Sequence, residues 1–446
     1  PIPQQDYYSL HGIFASSVEP EEEPIISDPK KSPYYADYVA KSTALKERVE
    51  QLRVEAKANR GKAAKPILAQ ITATEGLMAK LEMTHPGAPA RAMILVDKLK
   101  TSDSPVFIRG EAENRGPIVP RRFLQVLSGP NRETFHDGSG RLQLAEAIAS
   151  KDNPLTARVM VNRIWQHHFG DGIVLTPDDF GMQSAPPSNQ ELLDYLATQF
   201  VKNGWSIKQM HRLIMLSNTY QESSESNDQY AQIDPYNRLL WRANVKRLEF
   251  EAIRDSMLFL GGRLDLAMGG HPVDLTSEPY SVRRSVYGYI DRANLAEVFN
   301  NFDFANPDMT TGKRYETIVP QQALFMMNSS LVVEAARHLV DRVDFRKLRD
   351  DTSRMKLLFE IVYQREPSEK ELQLSLNFIK GCPPLTSVPR AVVKVPVHDI
   401  TAAQGKKGKK KAGNDRDFVM VTRNPLNAWE EFAHTLLLAN EATFVN

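Results

Sequence analysis

Cysteine is almost absent: Cys382 is the single one in a chain of 446 residues. An internal disulfide, a four-cysteine zinc site and a Cys-x-x-Cys-His haem attachment are therefore excluded within this sequence. No apolar run approaches the roughly 20 residues that span a bilayer as a helix, so no membrane-spanning segment is expected. The first residues do not show the basic, apolar, small-residue order of a secretion signal. Neither charge sign prevails, because 56 Lys and Arg face 55 Asp and Glu for a net +1. No global field then recruits nucleic acid, and no nucleic-acid partner is expected. Gly-x-Ser-x-Gly and Gly-x-x-x-x-Gly-Lys-Ser/Thr are missing too, which leaves serine-hydrolase elbows and nucleotide loops without support.

What is present is a globular composition, 41% hydrophobic and 25% charged, in a length that allows two to four domains. The chain opens at Pro1 and runs at once into Asp6 to Phe14, which reads like the middle of a domain. A fragment or processed product is the expectation, with residues 1–24 as the tail of a preceding domain. Leu45, Val49, Leu52 and Ala56, then Ile67, Ile71, Thr74, Met78 and Leu81, recur at spacings of three and four. That periodicity predicts two antiparallel helices, a hairpin over 35–84 whose ends meet near Tyr34 and Pro86, protruding as an arm. Residues 86–446 are then expected to form a mainly helical domain. Extended, loop-rich chain is predicted for 86–140, with a strand near Pro105 to Gly110. Helices are predicted over about 153–169, from Ser188 or Asn189 to Asn203, from Ser206, over 249–260, 321–343, 351–364 and 368–380, and over 425–440. The fold class is thus mainly α, a multi-helix globular body with a helical hairpin and a few short β-strands.

Several clusters could carry chemistry. His167 and His168 are adjacent, whereas a metal pair on a helix needs positions i and i+4. One packed and one capping histidine is the plainer reading, and no metal site is expected. Asp178 and Asp179 could serve as an acid/base pair, though aspartates after Pro177 ordinarily close a turn. The stretch 283–322 gathers Arg284, Arg292, Asp303 and Arg314 among Tyr287 and other aromatics. Arginine, carboxylate and rings suit a cleft for carbohydrate or another anionic ligand; the same inventory builds a buried ion-pair network that orders a loop. Within it, Arg284 to Ile290 is expected to be a strand, with Val286 and Gly288 on the Arg284 face and Ser285, Tyr287 and Tyr289 on the other. The run with Lys406, Lys407, Lys409, Lys410 and Lys411, in a loop over about 404–412, reads as a solvated segment or as a docking element for an acidic partner.

The block Asn153 to Gly170, followed by Asp179-Phe180-Gly181, resembles a family of planctomycete cytochrome c-associated surface proteins whose two large domains have no known function. Asn237 to Arg242, Arg283 to Tyr287, Pro320 to Ser329 and the ending Leu438 to Asn446 fit the same family, and the resemblance spans most of the chain. Phe302 to Pro307 is longer than the family's Phe-Asp-x-Pro form, and the lysine run looks like a local insertion. The resemblance implies export to the periplasm or cell surface, protein partners, and a c-type haem in a domain upstream; no cofactor is expected within this segment. It supplies no catalytic residues. Two functions follow as expectations. One is a structural or docking portion of an exported multidomain protein in a redox-linked assembly. The other is an enzyme acting on extracellular polysaccharide, with a cleft at Arg284, Arg292, Tyr287 and Arg314, and with Asp303, Asp179 or His167 as acid or base.

Overall fold

Helix pairing begins where the apolar spacing places it. Tyr35–Ala58 and Ala64–Thr84 pack as a hairpin whose own core is Val49, Leu52, Ile67 and Ile71, with Ala56 and Met78 beside it. The two ends close at residues 32–87: Ser32 Oγ donates to Pro86 O at 3.1 Å. A Cβ on Gly87 would lie 2.2 Å from Tyr34 O, so only glycine permits that approach. This is a computed structural model, and it describes residues 2–20, 22–28, 32–59, 64–292, 294–382, 391–396 and 418–445. The lysine run at 406–411, expected to be a docking loop, lies outside the described residues.

The chain divides into two compact units, Pro1–Glu222 with Asn227–Trp241, and Ser223–Ser226 with Arg242–Asn446. In the first unit, helix Gln4–Ala15 buries Asp6, Tyr8, Ser9, Gly12 and Ile13. Strand Ser17–Val18 continues from it and pairs with Val96–Asp97, while Ser104–Phe107 pairs antiparallel with Arg115–Val119. The first residues are therefore built into the loop-rich stretch that follows the hairpin.

A three-helix cluster completes this unit: Thr156–Phe169, Gln190–Lys202 and Ile207–Met215. It buries Val161, Trp165, Leu193, Phe200, Met210 and Ile214. The start signals act as expected, since Asn189 caps the second helix through Leu192 N and Ser206 the third through Gln209 N. Helix one begins at Thr156 rather than at Asn153, whose Oδ1 instead accepts from Leu155 N at 3.0 Å. Gly170, at φ 89°, ends it.

The second unit is built on helices Phe250–Leu260, Pro320–Asn328, Ser330–Asp341, Asp351–Tyr363, Glu369–Gly381 and Ala428–Leu438. Their apolar stripes meet in one core that includes Met257, Val332, Leu339, Met355, Leu358 and Leu437. Short strands supplement the helices: Lys246–Arg247 pairs with Phe444–Val445, and Ala391–Pro396 with Phe418–Arg423. With eighteen α-helices and only two-stranded sheets among the described residues, the protein is mainly α.

Two expectations are corrected here. The helix predicted over 321–343 is two helices, broken at Ser329, which is extended at φ −70° and ψ 129° and caps the second through Leu331 N. A capping serine competed successfully with helical continuation. The strand predicted from Arg284 to Ile290 is a 3₁₀ turn, Ser285–Tyr287, flanked by single bridges Asp265 to Arg283 and Val273 to Gly288. Within the turn Ser285 is buried and Val286 is 71% exposed. The cause is local: both the N–H and the hydroxyl of Ser285 are claimed by the Asp255 carboxylate, so no ladder partner can take them.

Candidate functional site

In the first unit, helix Thr156–Phe169 turns His167 outward and half-buries His168, as adjacency on a helix requires. His168 Nε2 lies 2.8 Å from Nδ1 of His211, on helix Ile207–Met215, and the Tyr220 ring stands edge-on at 5.3 Å. Burial, then the neighbouring His211 and His167, hold the His168 pKa below its ordinary 6.5, which keeps that ring neutral at physiological pH. The His168 and His211 rings hydrogen-bond each other, and among the described residues no group of three or more His, Cys, Asp and Glu is arranged to hold a metal ion. Asp179 spends itself on a turn, its Oδ1 accepting from Gly181 N at 2.7 Å while Thr176 Oγ1 donates to its carbonyl.

In the second unit, the loop-rich stretch is organised around helix Phe250–Leu260. Arg254 is fully buried on that helix. Its guanidinium donates to the carbonyls of Ser281 and Arg283, to Ser285 Oγ at 3.2 Å and to Asp255 Oδ1 at 3.2 Å. Asp255 in turn accepts from Ser285 N at 2.9 Å and from Ser285 Oγ at 2.7 Å. A serine donating to a carboxylate has the look of an activated nucleophile. Here the hydroxyl is buried, donates to the acid and accepts from Arg254, so its function is to hold the turn.

The residues singled out in the sequence have the following partners. Arg314 forms a bidentate pair with Glu251, at 3.1 and 2.9 Å, reaches Glu249 at 3.2 Å and lies 4.6 Å over the Phe304 ring. Burial opposes its charge, yet the two glutamates prevail and its pKa is raised. Asp303, at φ 57°, accepts from Arg247 at 3.0 Å and from the backbone and hydroxyl of Thr317 at 2.9 and 2.8 Å. Tyr287 lies under the Arg283 guanidinium at 4.3 Å and its hydroxyl accepts from Gly269 N at 2.9 Å. Arg284 and Arg292 are exposed at the surface. Asp303, Arg314 and Tyr287 thus each take partners other than one another.

Sequence reasoning missed Arg254, Arg247, His211 and Asp6. A signal for Arg254 was present: Phe250, Ile253, Arg254, Met257 and Leu258 share one stripe, and a cation on an apolar stripe needs buried acceptors. His211 had no such mark, because its partner comes from another helix.

Comparison with known proteins gives one match. Residues 140–379, 240 of the 446, match the model of a family described as PSD1, a protein of unknown function (DUF1553). No curated protein and no solved structure matches the chain.

Proposed function

We propose, from the premise that the chain belongs to the PSD1 family of proteins of unknown function (DUF1553), that it is a non-catalytic docking portion of an exported, multidomain, cytochrome c-associated assembly. The observation that carries the non-catalytic part is that the candidate acid Asp303 and the candidate cation Arg314 are each committed to a local ion pair. Asp303 is engaged by Arg247 and Thr317, and Arg314 by Glu249 and Glu251. A catalytic cleft needs groups that converge on a shared space with capacity left for substrate. Export and the cytochrome link rest on the resemblance of the Asn153 to Gly170 block and its companions. The lysine run at 406–411 supplies a charged element of the kind an acidic protein partner would use, and such contacts weaken as salt rises.

A titration of the intact protein with a panel of oligosaccharides, read by calorimetry and by release of reducing ends, tests the reading. No saturable heat and no product are expected, while Asp303→Asn lowers the unfolding midpoint. Saturable sugar binding or turnover that a folded Asp303→Asn variant has lost would replace the docking role with the polysaccharide-active one. Fractionation of the native cells is expected to place the protein in the periplasm or at the surface; recovery with cytosolic markers would remove the export claim.

A further inference from the structure

The second unit contains a pocket of about 310 Å³ that the foregoing networks do not fill. Ile253, Phe302, Met326 and Leu438 form its inner wall, and Ile318 and Met327 stand exposed beside it. A concave, mostly apolar space of about 300 Å³ or more with few polar groups is the usual form of a small-molecule site. The distribution of charge on its wall is specific: among the described residues Arg247 is the one charged residue lining it, and no carboxylate does.

Arg247 is also the group with capacity to spare. Its side chain is only 9% exposed. One nitrogen donates to Asp303 at 3.0 Å, another makes a long 3.4 Å contact to Leu248 O, and Nε has no partner among the described residues. A guanidinium offers five N–H donors; Nε is enclosed, and each terminal nitrogen keeps a second N–H beyond its one contact, which is the part of the fork left for a ligand. Asp303 compensates its charge from outside the lining and is itself occupied by Thr317. Gln322, the other large polar side chain on the wall, is spent on Asn301 O, Thr317 O and Val319 N. Phe302 supports the guanidinium from one side, 5.3 Å away.

We infer that this pocket binds a small amphipathic monocarboxylate, its apolar body among Met326, Leu438 and Ile318 and its carboxylate on the Arg247 fork. The planar guanidinium matches a carboxylate in two parallel hydrogen bonds, and the dry wall makes that recognition strong. An alcohol of the same body would gain the apolar contact but leave the fork underused. A cationic amphiphile would place like charges together.

The test uses the full chain and sodium decanoate, 1-decanol and decyltrimethylammonium, each below its aggregation concentration, in calorimetric titrations. Decanoate is expected to bind saturably at one site, with decanol at least tenfold weaker and the ammonium compound showing no binding. Ala323→Trp, at an exposed position lining the pocket, is expected to weaken decanoate at least tenfold without moving the unfolding midpoint. If that variant fails to fold, Met327→Trp makes the same test from the neighbouring exposed position. Absence of saturable decanoate binding overturns the inference. So does equal affinity for decanol, which would leave Arg247 without a role, or full affinity in a folded tryptophan variant, which would put the carboxylate elsewhere.

Discussion

Two coil-rich stretches, 86–141 and 262–320, solve the same problem with different chemistry. Loop backbone that forms few ladders leaves carbonyl groups that must still be paired once buried. In the first stretch each of three arginines takes a carbonyl and a carboxylate together. Arg121 holds Gly138 O and Asp103, Arg132 holds Phe123 O and Asp6, and Arg141 holds Leu95 O and Asp97. In the second, Arg254 alone gathers the Ser281 and Arg283 carbonyls from inside the core, and Asp255 is largely committed to Ser285. Arg283, which takes Gly269 O and Asp265, and the Arg247–Asp303 and Arg314–Glu251 pairs repeat the first pattern there, but of these only Arg254 is fully buried, and a fully buried guanidinium concentrates the risk.

The comparison breaks most visibly at Arg254. Arg254→Ala removes a buried cation and leaves two carbonyls and the Ser285–Asp255 pair without their anchor, and should cost about 5 kcal/mol. Chemical denaturation combined with hydrogen exchange at Ser285 and Gly288 would register it; a loss under 1 kcal/mol would mean that the turn is held by something else. Asp6→Ala comes next, at about 3 kcal/mol, since it strands a nearly buried Arg132 and removes the acceptor of Gln125 N. Exchange should rise around 123–132 and stay unchanged at 281–288, so equal opening of both stretches would erase the distinction between them.

Acid gives a subtler contrast. Hydrogen bonds from Ser139 and Arg141 hold the Asp97 carboxyl down to about 2, against an ordinary 3.8. A depressed carboxylate pKa contributes stability that is complete above the ordinary value and disappears as pH falls toward the folded one. Residues 95–141 should therefore loosen between about pH 4 and pH 2, and Asp97→Asn should flatten that slope; a slope unchanged in the variant would assign the acid response to another group. The smallest effect belongs to neither stretch. Arg53 in the hairpin pairs with Glu50 and Glu75 in full solvent, so Arg53→Ala should leave the melting temperature where it is.

Much of the fold was legible because its causes are local. The seam of Val49, Leu52, Ile67 and Ile71, the caps at Asn189 and Ser206 and the stop at Gly170 depend on residues within a turn or two of each other. Expectation failed at Ser285 and Ser329. At Ser285 an alternating pattern was outcompeted by an acceptor thirty positions away, and at Ser329 a cap interrupted a continuous apolar stripe. Two of the candidate residues, Asp303 and Arg314, are engaged in ion pairs. What engages them was not readable: Asp303 answers to Arg247 across 56 positions and Arg314 to Glu251 across 63.

From its sequence alone this protein is committed to helices, to a paired-helix hairpin and to a chain without disulfides, because periodicity, capping and composition act over a few residues. Tertiary structure alone decided which cations would be stranded in the interior, which carboxylates would neutralise them, and that Arg247 would border an apolar pocket with donors to spare. Those outcomes depend on which remote segments share a small dry volume, where each buried polar group must find a partner or pay the full cost of desolvation.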